Sequence, residues 1–460
     1  MRKNLSDDLK KSLKGKLVLP ADPAYNEARK VYNGMIDKNP AAIAYCTDVN
    51  DVIACVNFAR ENNMLLAIRS GGHNAAGLGV ADDALVIDLS PMKGIKVDVH
   101  AKTVKVQAGC LLKEVDTATH EAAGMCVPSG IFGTTGTGGI TLGGGLGNLT
   151  RSLGLAIDNL LEAEVVLADG RLVKASSSEN ADLFWALRGG GGNFGVVVSF
   201  TFKMCPVHTV YAGPMLWELD DAEEMFAWHH EFINKAPNEL SGYFAFLTVP
   251  PFPPFPGHLH LKKMCGVVWC YAGDMDKAEE VFKPIRAKKT PSLDFVGPLT
   301  VPTLNTLFDP LYPPGLIWYW KADFVKDLGA EAIKKHIEHA RQMPTRYCTM
   351  HMYNINGLAS KVGRSETAWN YRDANYGMVI VGVADNVSDE EKVIEWAKHY
   401  WSDLHPYSMG GAYINMIMDE GEDRVKASYG DNYKKLAQVK AKYDPGNLFR
   451  VNQNIKPAAA

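Results

Sequence analysis

The sequence predicts an α+β protein with two substantial domains, and three observations lead to this prediction. The chain has 460 residues, more than one hydrophobic core ordinarily serves, since single cores stop growing near roughly 250–300 residues. Glycine is clustered between Gly71 and Gly195, becomes sparse from about 206 to 405, and returns after Gly410. Helical and strand patterns are mixed without a regular strand–helix–strand repeat, which favours α+β over a doubly wound sheet.

The glycine-dense first part alternates helices with short strands. Apolar residues recur at helical spacing in 48–64, and LLAIRSGGH predicts a buried strand that breaks into a loop. ALVIDLS and TVKVQAG predict two further strands, and 112–124 fits a helix stopped by Gly124. The segment 159–176 has two strand patterns around Asp169-Gly170, a dipeptide typical of tight hairpins.

The glycine-poor middle predicts helices that pack on an antiparallel sheet. DKAEEVFKPIRAK and AEAIKKHIEHARQM have helical spacing. YCTMHMYNING and YGMVIVGVA have strand patterns, and HLKKMCGVVWCYAG has a less clear one. This arrangement suits a cap over a cofactor, while PPFPPFPG is interpreted as a proline-rich loop rather than a recognition module.

Composition excludes several classes of protein. The net charge is -4, and no basic stripe indicates nucleic-acid binding. No apolar run predicts a signal peptide or a membrane span of about 20 residues. The eight cysteines are scattered without metal-ligand spacing, so we expect reduced, buried thiols and a cytoplasmic protein. No metal site is expected, because the neighbouring histidines lack further ligands: His229, His230, His258 and His260.

The segment from Ile68 to Gly77, IRSGGHNAAG, is the first candidate ligand-binding motif. Small residues after a strand let several backbone N–H groups converge on one point, which suits a diphosphate. His73 within the motif has two interpretations, an incidental loop histidine or a functional residue.

The segment from Pro128 to Gly154 has the densest glycine cluster, PSGIFGTTGTGGITLGGGLGNLTRSLG. So much glycine costs conformational entropy unless the backbone needs special dihedral angles or a close approach to a ligand. A flexible linker is the alternative, but the interspersed Ile, Leu and Thr argue against it.

Two later segments complete the set of motifs. Gly190, Gly192 and Gly195 satisfy GxGxxG, but a nicotinamide-binding fingerprint needs a strand before the motif and a helix after it. Here DLFWALRGG predicts a helix before it and VVVSF a strand after it, so we reject that fingerprint. The C-terminal NYKKLAQVKAKYDPGNLFRVNQNI predicts a helix that ends near Tyr443 and a short polar segment.

Together and in this order, these segments resemble the berberine bridge enzyme-like branch of the FAD-linked oxidases related to vanillyl-alcohol oxidase. The motifs are RSGGHN, PxGxxxxxGxGGxxxGGGxG, GLAxDN at 154–159, LFWALRGGGGNFG and NYxxLxxVKxKYDPxNxFxxNQxI. The resemblance spans essentially the whole chain, is weakest in the middle third, and is greatest to singly tethered bacterial members.

The resemblance implies a two-part FAD-binding domain of the vanillyl-alcohol oxidase type, formed by 1–205 and 411–460. The segment 206–410 would be an α+β substrate domain with an antiparallel sheet. His73 stands where the family attaches the flavin 8α carbon, and the link is expected to retain FAD and raise its reduction potential. The other residues expected to contact FAD are Arg69, Ser70, Gly71, Gly72, Asn74, Gly77, Phe132, Thr134, Thr135, Gly136, Gly138, Gly139, Gly143, Asn148, Asp158, Gly192, Asn193, Gly195, Val196, Asn452 and Gln453.

Phe132 is a departure from the family pattern. Many members carry a cysteine here that forms a second bond to the flavin, and an aromatic ring cannot form that thioether. Cys126, six residues upstream, is interpreted as a buried thiol. We therefore expect one covalent link, a lower flavin potential than in doubly tethered relatives, and a less open substrate site.

Tyr413 is the candidate catalytic base. In the family this Tyr-x-Asn region lies by the flavin, and if the segment is a strand, Tyr413 and Asn415 share a face. A tyrosine, with a reference pKa of about 10, needs a cation or hydrogen bond to act at neutral pH. Lys321 and His351 are the candidates for that help, and an ordinary sheet tyrosine is the alternative.

The strand TMHMYNING would place Met352, Asn354 and Asn356 on one face, where some relatives present a carboxylate to the flavin. Asparagine cannot accept a proton, so this substitution gives Tyr413 more weight as the base. Asn354, Asn356 and Asn415 are expected to bind substrate.

The run IWYWKADF adds candidate substrate contacts. The aromatic residues Trp318, Tyr319 and Trp320 have two interpretations, a platform for a ring substrate or buried core. Trp320 and Lys321 are expected to bind substrate.

These expectations favour an FAD-dependent oxidase of an alcohol, amine or sugar, with oxygen as electron acceptor, acting as a monomer or dimer. The resemblance places Thr135 where the family borders the oxygen-facing side of the flavin, and a side chain as compact as threonine would leave room there, which favours oxygen use. The alternatives are a dehydrogenase of the same fold with another acceptor, and a catalytically decayed flavin-binding protein.

Overall fold

In the computed structural model, which describes residues 3–459, the first sheet has the order β1-β2-β4-β3. Its pairs are parallel except β1 with β2. Asp48 starts the covering helix α3 by accepting hydrogen bonds from the backbone N–H groups of Asn50 and Asp51. The strands are β1 (Lys16–Val18), β2 (Ala42–Tyr45), β3 (Leu66–Arg69) and β4 (Leu85–Asp88), and the helices are α1 (Lys3–Ser12), α2 (Tyr25–Ala28) and α3 (Val49–Glu61).

The second sheet is antiparallel, with the order β5-β6-β9-β7-β8. The predicted hairpin is present as β7 and β8, and Gly170 in its turn has φ +84°. One continuous apolar core joins this sheet to the first. The strands are β5 (Ile95–Asp98), β6 (Thr103–Gln107), β7 (Leu160–Val166), β8 (Leu172–Ser176) and β9 (Val196–Lys203), and the helices are α4 (Leu112–Ala123), α5 (Thr137–Gly143), α6 (Thr150–Leu153) and α7 (Ala181–Leu187).

The third sheet is antiparallel, with the order β13-β10-β12-β11-β16-β17-β15, and β14 pairs with β10. Its strands are β10 (Thr209–Glu218), β11 (Leu240–Thr248), β12 (Lys263–Tyr271), β13 (Leu293–Asp294), β14 (Gly297–Thr300), β15 (Ile317–Val325), β16 (Thr349–Asn354) and β17 (Tyr376–Ala384). Its helices are α8 (Ala222–Lys235), α9 (Ala278–Lys288), α10 (Val301–Thr306), α11 (Ala330–Arg341) and α12 (Glu390–Leu404).

The two faces of the third sheet have different coverings. One face packs on the long helices, where Met350 and Met352 join Phe226 and Trp396 in a single core. The opposite face, which includes Trp318 and other aromatic side chains, meets apolar residues of the glycine-rich segments. Because side chains alternate along a strand, successive residues of β15, β16 and β17 point to opposite faces of this sheet.

The C-terminal residues return to the first two sheets through α13 (Glu422–Tyr429) and α14 (Tyr433–Tyr443). The buried Lys440 ammonium donates to Asp444 at 2.7 Å and to the carbonyl oxygens of Asn193 and Phe449. It thereby connects α14 with the loop before β9. β9 ends at Lys203 and β10 begins at Thr209, while the domain limits at 205 and 410 stay predictions.

Three sequence predictions can be compared with the structure: those on the cysteines, on the segment after Tyr413 and on membrane-spanning helices. The eight cysteines are free and buried. The segment after Tyr413 is not a strand but a short 3₁₀ turn, Ile414–Met416. Within residues 3–459, no helix combines the length and apolar character needed to cross a bilayer.

Candidate active site

A cavity lies between the glycine-rich segments and the aromatic face of the third sheet. Its volume is about 290 Å³. The β3–β4 loop, the glycine-rich segment around α5, the loop before β9 and the C-terminal segment contribute to one side. Strands β15, β16 and β17 contribute to the other side. The third sheet therefore forms the wall opposite the loop after β3, the segment around α5 and the loop before β9, which together are called the glycine loops.

His73 lines this cavity just after β3. Its ring stacks on Tyr32 with centroids 3.9 Å apart, and Nδ1 lies 3.4 Å from the Thr135 hydroxyl. Loss of solvation lowers the pKa of His73 to about 4, opposed by a hydrogen bond with the Thr134 backbone. The imidazole is therefore neutral at pH 7 and keeps a nitrogen lone pair.

Arg69 holds the start of the His73 loop in place. Its guanidinium donates to Asp88 at 2.6 Å and to the carbonyl oxygens of Ala28 and Lys30. The Ser70 hydroxyl donates to the Ala108 carbonyl at 2.6 Å. Both residues border the cavity, but these hydrogen bonds already pair their donor groups with acceptors of the protein.

The glycine loops touch one another backbone to backbone. A Cβ on Gly71 would lie 2.3 Å from the Gly136 nitrogen, and one on Gly136 would lie 2.1 Å from the Gly71 nitrogen. A Cβ on Gly139 or Gly192 would meet no heavy atom within 4 Å. The first pair needs glycine for close packing, whereas the second pair borders open space.

The donors of the His73 loop fit an anionic cofactor. In the part of the chain that the structure describes, the backbone N–H groups from Gly71 to Asn74 donate to no protein acceptor. Converging free N–H groups form an anion-binding concavity. A loop of this kind beside open space and a neutral histidine matches what the diphosphate and ring of FAD require.

Tyr413 lines the cavity and is held by hydrogen bonds from several directions. Its hydroxyl accepts from the Gly145 N–H at 3.1 Å and from Asn415 Nδ2 at 2.9 Å. It donates to the Ile140 carbonyl at 3.4 Å. Burial raises the pKa of Tyr413 to about 12, although the donated hydrogen bonds oppose this rise. The 3₁₀ turn, rather than a shared strand face, brings Asn415 to Tyr413.

Asn354 and Asn356 do not face the cavity, so the predicted orientation of β16 is wrong. Thr349, His351 and Tyr353 line the cavity instead, and Met352 lies in the helix-side core. Asn356 accepts from Arg151 Nε at 3.0 Å and donates to Asn234 at 2.7 Å. A shift of one residue reverses every side chain of a strand, and both faces of β16 are covered, so alternation alone did not decide between them.

Lys321 is also directed away from the cavity. Its ammonium donates to Glu420 at 2.6 Å and lies 4.4 Å from the centre of the Trp401 ring. His351 lines the cavity but hydrogen-bonds the Tyr353 hydroxyl at 2.7 Å. In the described residues neither side chain bonds Tyr413, so the predicted cationic partner for Tyr413 is wrong.

The aromatic run of β15 is divided by the same alternation. Trp318 and Trp320 line the cavity, whereas Tyr319 packs beside the helix-side core and below the Lys398 ammonium. Tyr319 therefore fits the buried-core interpretation, while a substrate platform formed by Trp318 and Trp320 stays a prediction.

Several predicted cofactor contacts have structural partners and do not line the cavity. Asp158 forms a two-bond ion pair with Arg372, and Asn148 donates to Asn305. Gly77 packs against Ile36, and Gly143 against Asn415. Thr134 contacts His73 through its backbone. The predicted cofactor residues that do line it, besides His73, are Arg69, Ser70, Gly71, Gly72, Asn74, Phe132, Thr135, Gly136, Gly138, Gly139, Gly192, Asn193, Gly195, Val196, Asn452 and Gln453.

Sequence reasoning missed Tyr312, Thr349 and Tyr353 as lining residues and Tyr32 as the stacking partner of His73. The polar or aromatic residues of TMHMYN alternate with Met350 and Met352, which was an available signal for Thr349 and Tyr353. Tyr32 and Tyr312 belong to irregular segments, where no periodicity indicates a side chain's direction.

Comparison with known proteins agrees with this arrangement. A family model for an FAD binding domain matches residues 40–176, and one described as berberine and berberine like matches 412–456. An FAD-linked oxidoreductase of Dictyostelium discoideum is 32% identical over 432 residues, covering 93% of this chain and 91% of that protein. The uncharacterised FAD-linked oxidoreductase YgaK of Bacillus subtilis (strain 168) is 31% identical and covers 97% of this chain and 98% of its own length.

Solved structures share the fold across the whole chain. Chitooligosaccharide oxidase superimposes with a TM-score of 0.86 at 27% identity, covering 99% of this chain and 100% of that chain. The 6-hydroxy-D-nicotine oxidase of Arthrobacter nicotinovorans superimposes with a TM-score of 0.88 at 23% identity, covering 97% and 99%. The latter likeness is evidence of the fold alone.

The fold and the cavity together define an FAD-dependent oxidoreductase of the vanillyl-alcohol oxidase type. Within that class, this chain belongs to the berberine bridge enzyme-like FAD-linked oxidoreductases.

Proposed function

We propose that this enzyme is an oxidase that carries FAD on a single bond to His73 and oxidises a substrate C–H next to oxygen or nitrogen, producing hydrogen peroxide. The observation that carries the proposal is a neutral histidine at the wall of a cavity bordered by glycine loops. Bound FAD supplies the ring that accepts a hydride at N5 and later returns the electrons to oxygen.

His73 is suited to form the link because its nitrogen is unprotonated at neutral pH. The link would join this nitrogen to the flavin 8α carbon, and the imidazole ring and the 8α methyl group would each give up one proton. The two electrons would pass through the flavin to oxygen, which would take up the two protons and leave as hydrogen peroxide. The stack with Tyr32 fixes the plane of the imidazole for this reaction.

Phe132 supports the proposal of a single link, because it lines the cavity where many relatives have a cysteine. Without the second link, the flavin potential is expected to be lower than in doubly tethered relatives. The Phe132 ring, 6.0 Å from the Tyr312 ring between centroids, also occupies space that a cysteine would leave open.

Tyr413 is proposed to take the proton of the substrate heteroatom while the hydride leaves. The donors on its oxygen, the Gly145 N–H and Asn415 Nδ2, would stabilise the phenolate. Among the described residues, the lining of the cavity contains no aspartate or glutamate, which favours a tyrosine over a carboxylate in this role.

Oxygen as the acceptor is tested by stopped-flow reoxidation of the reduced holoenzyme in air-saturated buffer. The proposal predicts rapid reoxidation with one hydrogen peroxide formed per flavin. Slow reoxidation by air, with rapid reoxidation by a quinone, would instead identify a dehydrogenase. Photoreducible protein that no alcohol, amine or sugar reduces in the dark would identify a flavin-binding protein without turnover.

A further inference from the structure

We infer that the substrate is an uncharged, largely apolar ring-bearing alcohol, and that His351 determines this specificity by hydrogen-bonding its polar end. The inference rests on the proposed function and deepens it. It follows from the side chains with which the third sheet faces the glycine loops.

The substrate wall is a continuous patch of three adjacent strands. With the flavin held at His73 and the glycine loops, the third sheet is the surface left for a substrate. Cross-strand pairing aligns Trp320 with Val381 and Val381 with Thr349, and it aligns Val379 with His351. The side chains of this wall that line the cavity are Trp318, Trp320, Thr349, His351, Tyr353, Val379 and Val381.

This wall offers no counter-charge to a substrate. Within the described residues, the cavity lining contains no aspartate, glutamate or lysine, and Arg69 is already paired with Asp88. Loss of solvation lowers the pKa of His351 to about 4, so it is neutral at pH 7. An ammonium or carboxylate group would therefore lose its water here without gaining an ionic partner.

The centre of the wall is apolar, and the indole N–H groups of Trp318 and Trp320 beside it have no partner in the described residues. Val379 and Val381 occupy its centre, and neither can accept or donate a hydrogen bond. Tyr312, Trp318 and Trp320 form an aromatic series with neighbouring centroids 5.4 and 6.0 Å apart. Such rings stack on a flat apolar substrate, while any sugar hydroxyl directed at the two valines would remain unpaired.

His351 is the exception in the middle of this apolar surface. Its strand neighbours are Val379 on one side and Ala245 on the other, and its ring also lies 5.2 Å from the Tyr243 ring between centroids. Nδ1 lies 2.7 Å from the Tyr353 hydroxyl, which fixes the ring plane. A substrate hydroxyl is the group that can pair with the other ring nitrogen without bringing a charge.

A matched series of para-substituted benzyl alcohols tests the charge selection on the holoenzyme. Benzene-1,4-dimethanol, 4-(aminomethyl)benzyl alcohol and 4-(hydroxymethyl)benzoate share the reacting group and differ in charge, and cellobiose serves as the sugar. Binding is followed by tryptophan fluorescence, since Trp318 and Trp320 line the cavity, and turnover by anaerobic flavin reduction. The neutral diol should bind at least about thirtyfold more tightly than either charged analogue and more tightly than cellobiose.

Three variants at two positions of the wall extend this test. Val381→Asp should reverse the order and favour the aminomethyl analogue, whereas Val387→Asp, at a site 74% exposed, should leave it unchanged. His351→Ala should weaken binding of the diol at least about fivefold, and His351→Gln, which keeps a hydrogen-bonding group, should recover part of the loss.

The outcomes separate the inference from the proposed function. Equal or tighter binding of a charged analogue or of cellobiose, or no binding of the diol, would overturn the inference. If one of those compounds also reduced the flavin, the proposed function would stand without it. A diol that binds tightest but never reduces the flavin would support the inference about the site and contradict the oxidase.

Discussion

At the scale of single residues, loss of solvation rather than ion pairing sets the protonation of the groups around the cavity. It lowers the pKa of His73 and His351 to about 4 and raises that of Tyr413 to about 12. All three are therefore uncharged at neutral pH before substrate binds. A histidine in this state is a nucleophile or hydrogen-bond partner, whereas a tyrosine must lose its proton to act as a base.

Removing the Tyr413 hydroxyl tests its role as base. Tyr413→Phe should slow anaerobic reduction of the flavin by about 10²-fold or more, because the substrate proton would lose its acceptor. Tyr371→Phe is the matched control, since the Tyr371 hydroxyl bonds the Ala427 carbonyl and does not line the cavity. Equal reduction rates in Tyr413→Phe and the native enzyme would remove Tyr413 from the mechanism.

The raised pKa of Tyr413 also sets the direction of the pH dependence. Below a pKa of about 12, the phenolate fraction increases tenfold per pH unit, so the rate of flavin reduction should increase with pH from 6 to 10. Tyr413→Phe should lose this increase. A rate that is flat across the same range would mean that another group accepts the proton.

At the scale of elements, Arg151 connects the glycine-rich segment to the third sheet and its helices. Arg151 is 2% exposed, and its guanidinium donates to the carbonyl oxygens of Ile233 and Ala236 at the end of α8. It also donates to Leu240 at the start of β11 and to Asn356 beyond β16. A cation at a helix C-terminus stabilises the helix dipole and its free carbonyl groups.

Arg151→Met is predicted to destabilise the protein, because these carbonyl oxygens would remain buried without donors. The expected loss is about 3 kcal/mol or more, seen as a lower thermal midpoint. Arg171→Met serves as the control, because the Arg171 side chain is 71% exposed. A midpoint that Arg151→Met leaves unchanged would contradict this role.

Two of the strand predictions coincide with the observed elements. The strand pattern YGMVIVGVA coincides with β17, and the Asp-Gly hairpin joins β7 and β8. The orientation of β16 could not be obtained in the same way, because local alternation does not tell which face the helices cover. Lys321 shows the same limit, since its partner Glu420 is 99 residues away in the chain.

At the scale of the whole molecule, the glycine motifs predicted cavity-lining residues better than the middle third of the sequence did. Backbone contacts such as Gly71 with Gly136 need glycine at fixed positions, so these motifs keep a sequence signature. The cavity wall needs only side chains of suitable shape on a sheet. Many sequences satisfy that requirement, which is why the predicted substrate contacts needed the most correction.

Buried neutral histidines make the whole molecule sensitive to acid. Loss of solvation lowers the pKa of His229 and His351 to about 4 and that of His336 to about 3. Between pH 6.5 and 4 the unfolded chain binds more protons at these sites, so stability falls as pH falls. Each fully protected histidine contributes about 1.4 kcal/mol per pH unit to this loss.

The thermal midpoint should therefore decrease between pH 7 and pH 5. His229→Gln should reduce the pH dependence, whereas His100→Gln, at an exposed position, should not change it. A midpoint that stays constant from pH 7 to pH 5 would show that the folded and unfolded chains take up protons equally at these histidines.

Covalent attachment of FAD to His73 is tested by flavin fluorescence on a denaturing gel, which compares the purified protein with its His73→Ala variant. A covalent link at His73 predicts a fluorescent band for the native chain and a dark band for His73→Ala, with yellow colour in the native preparation before denaturation. A dark band from yellow native protein would contradict the covalent link. A fluorescent His73→Ala band would contradict His73 as the site of attachment.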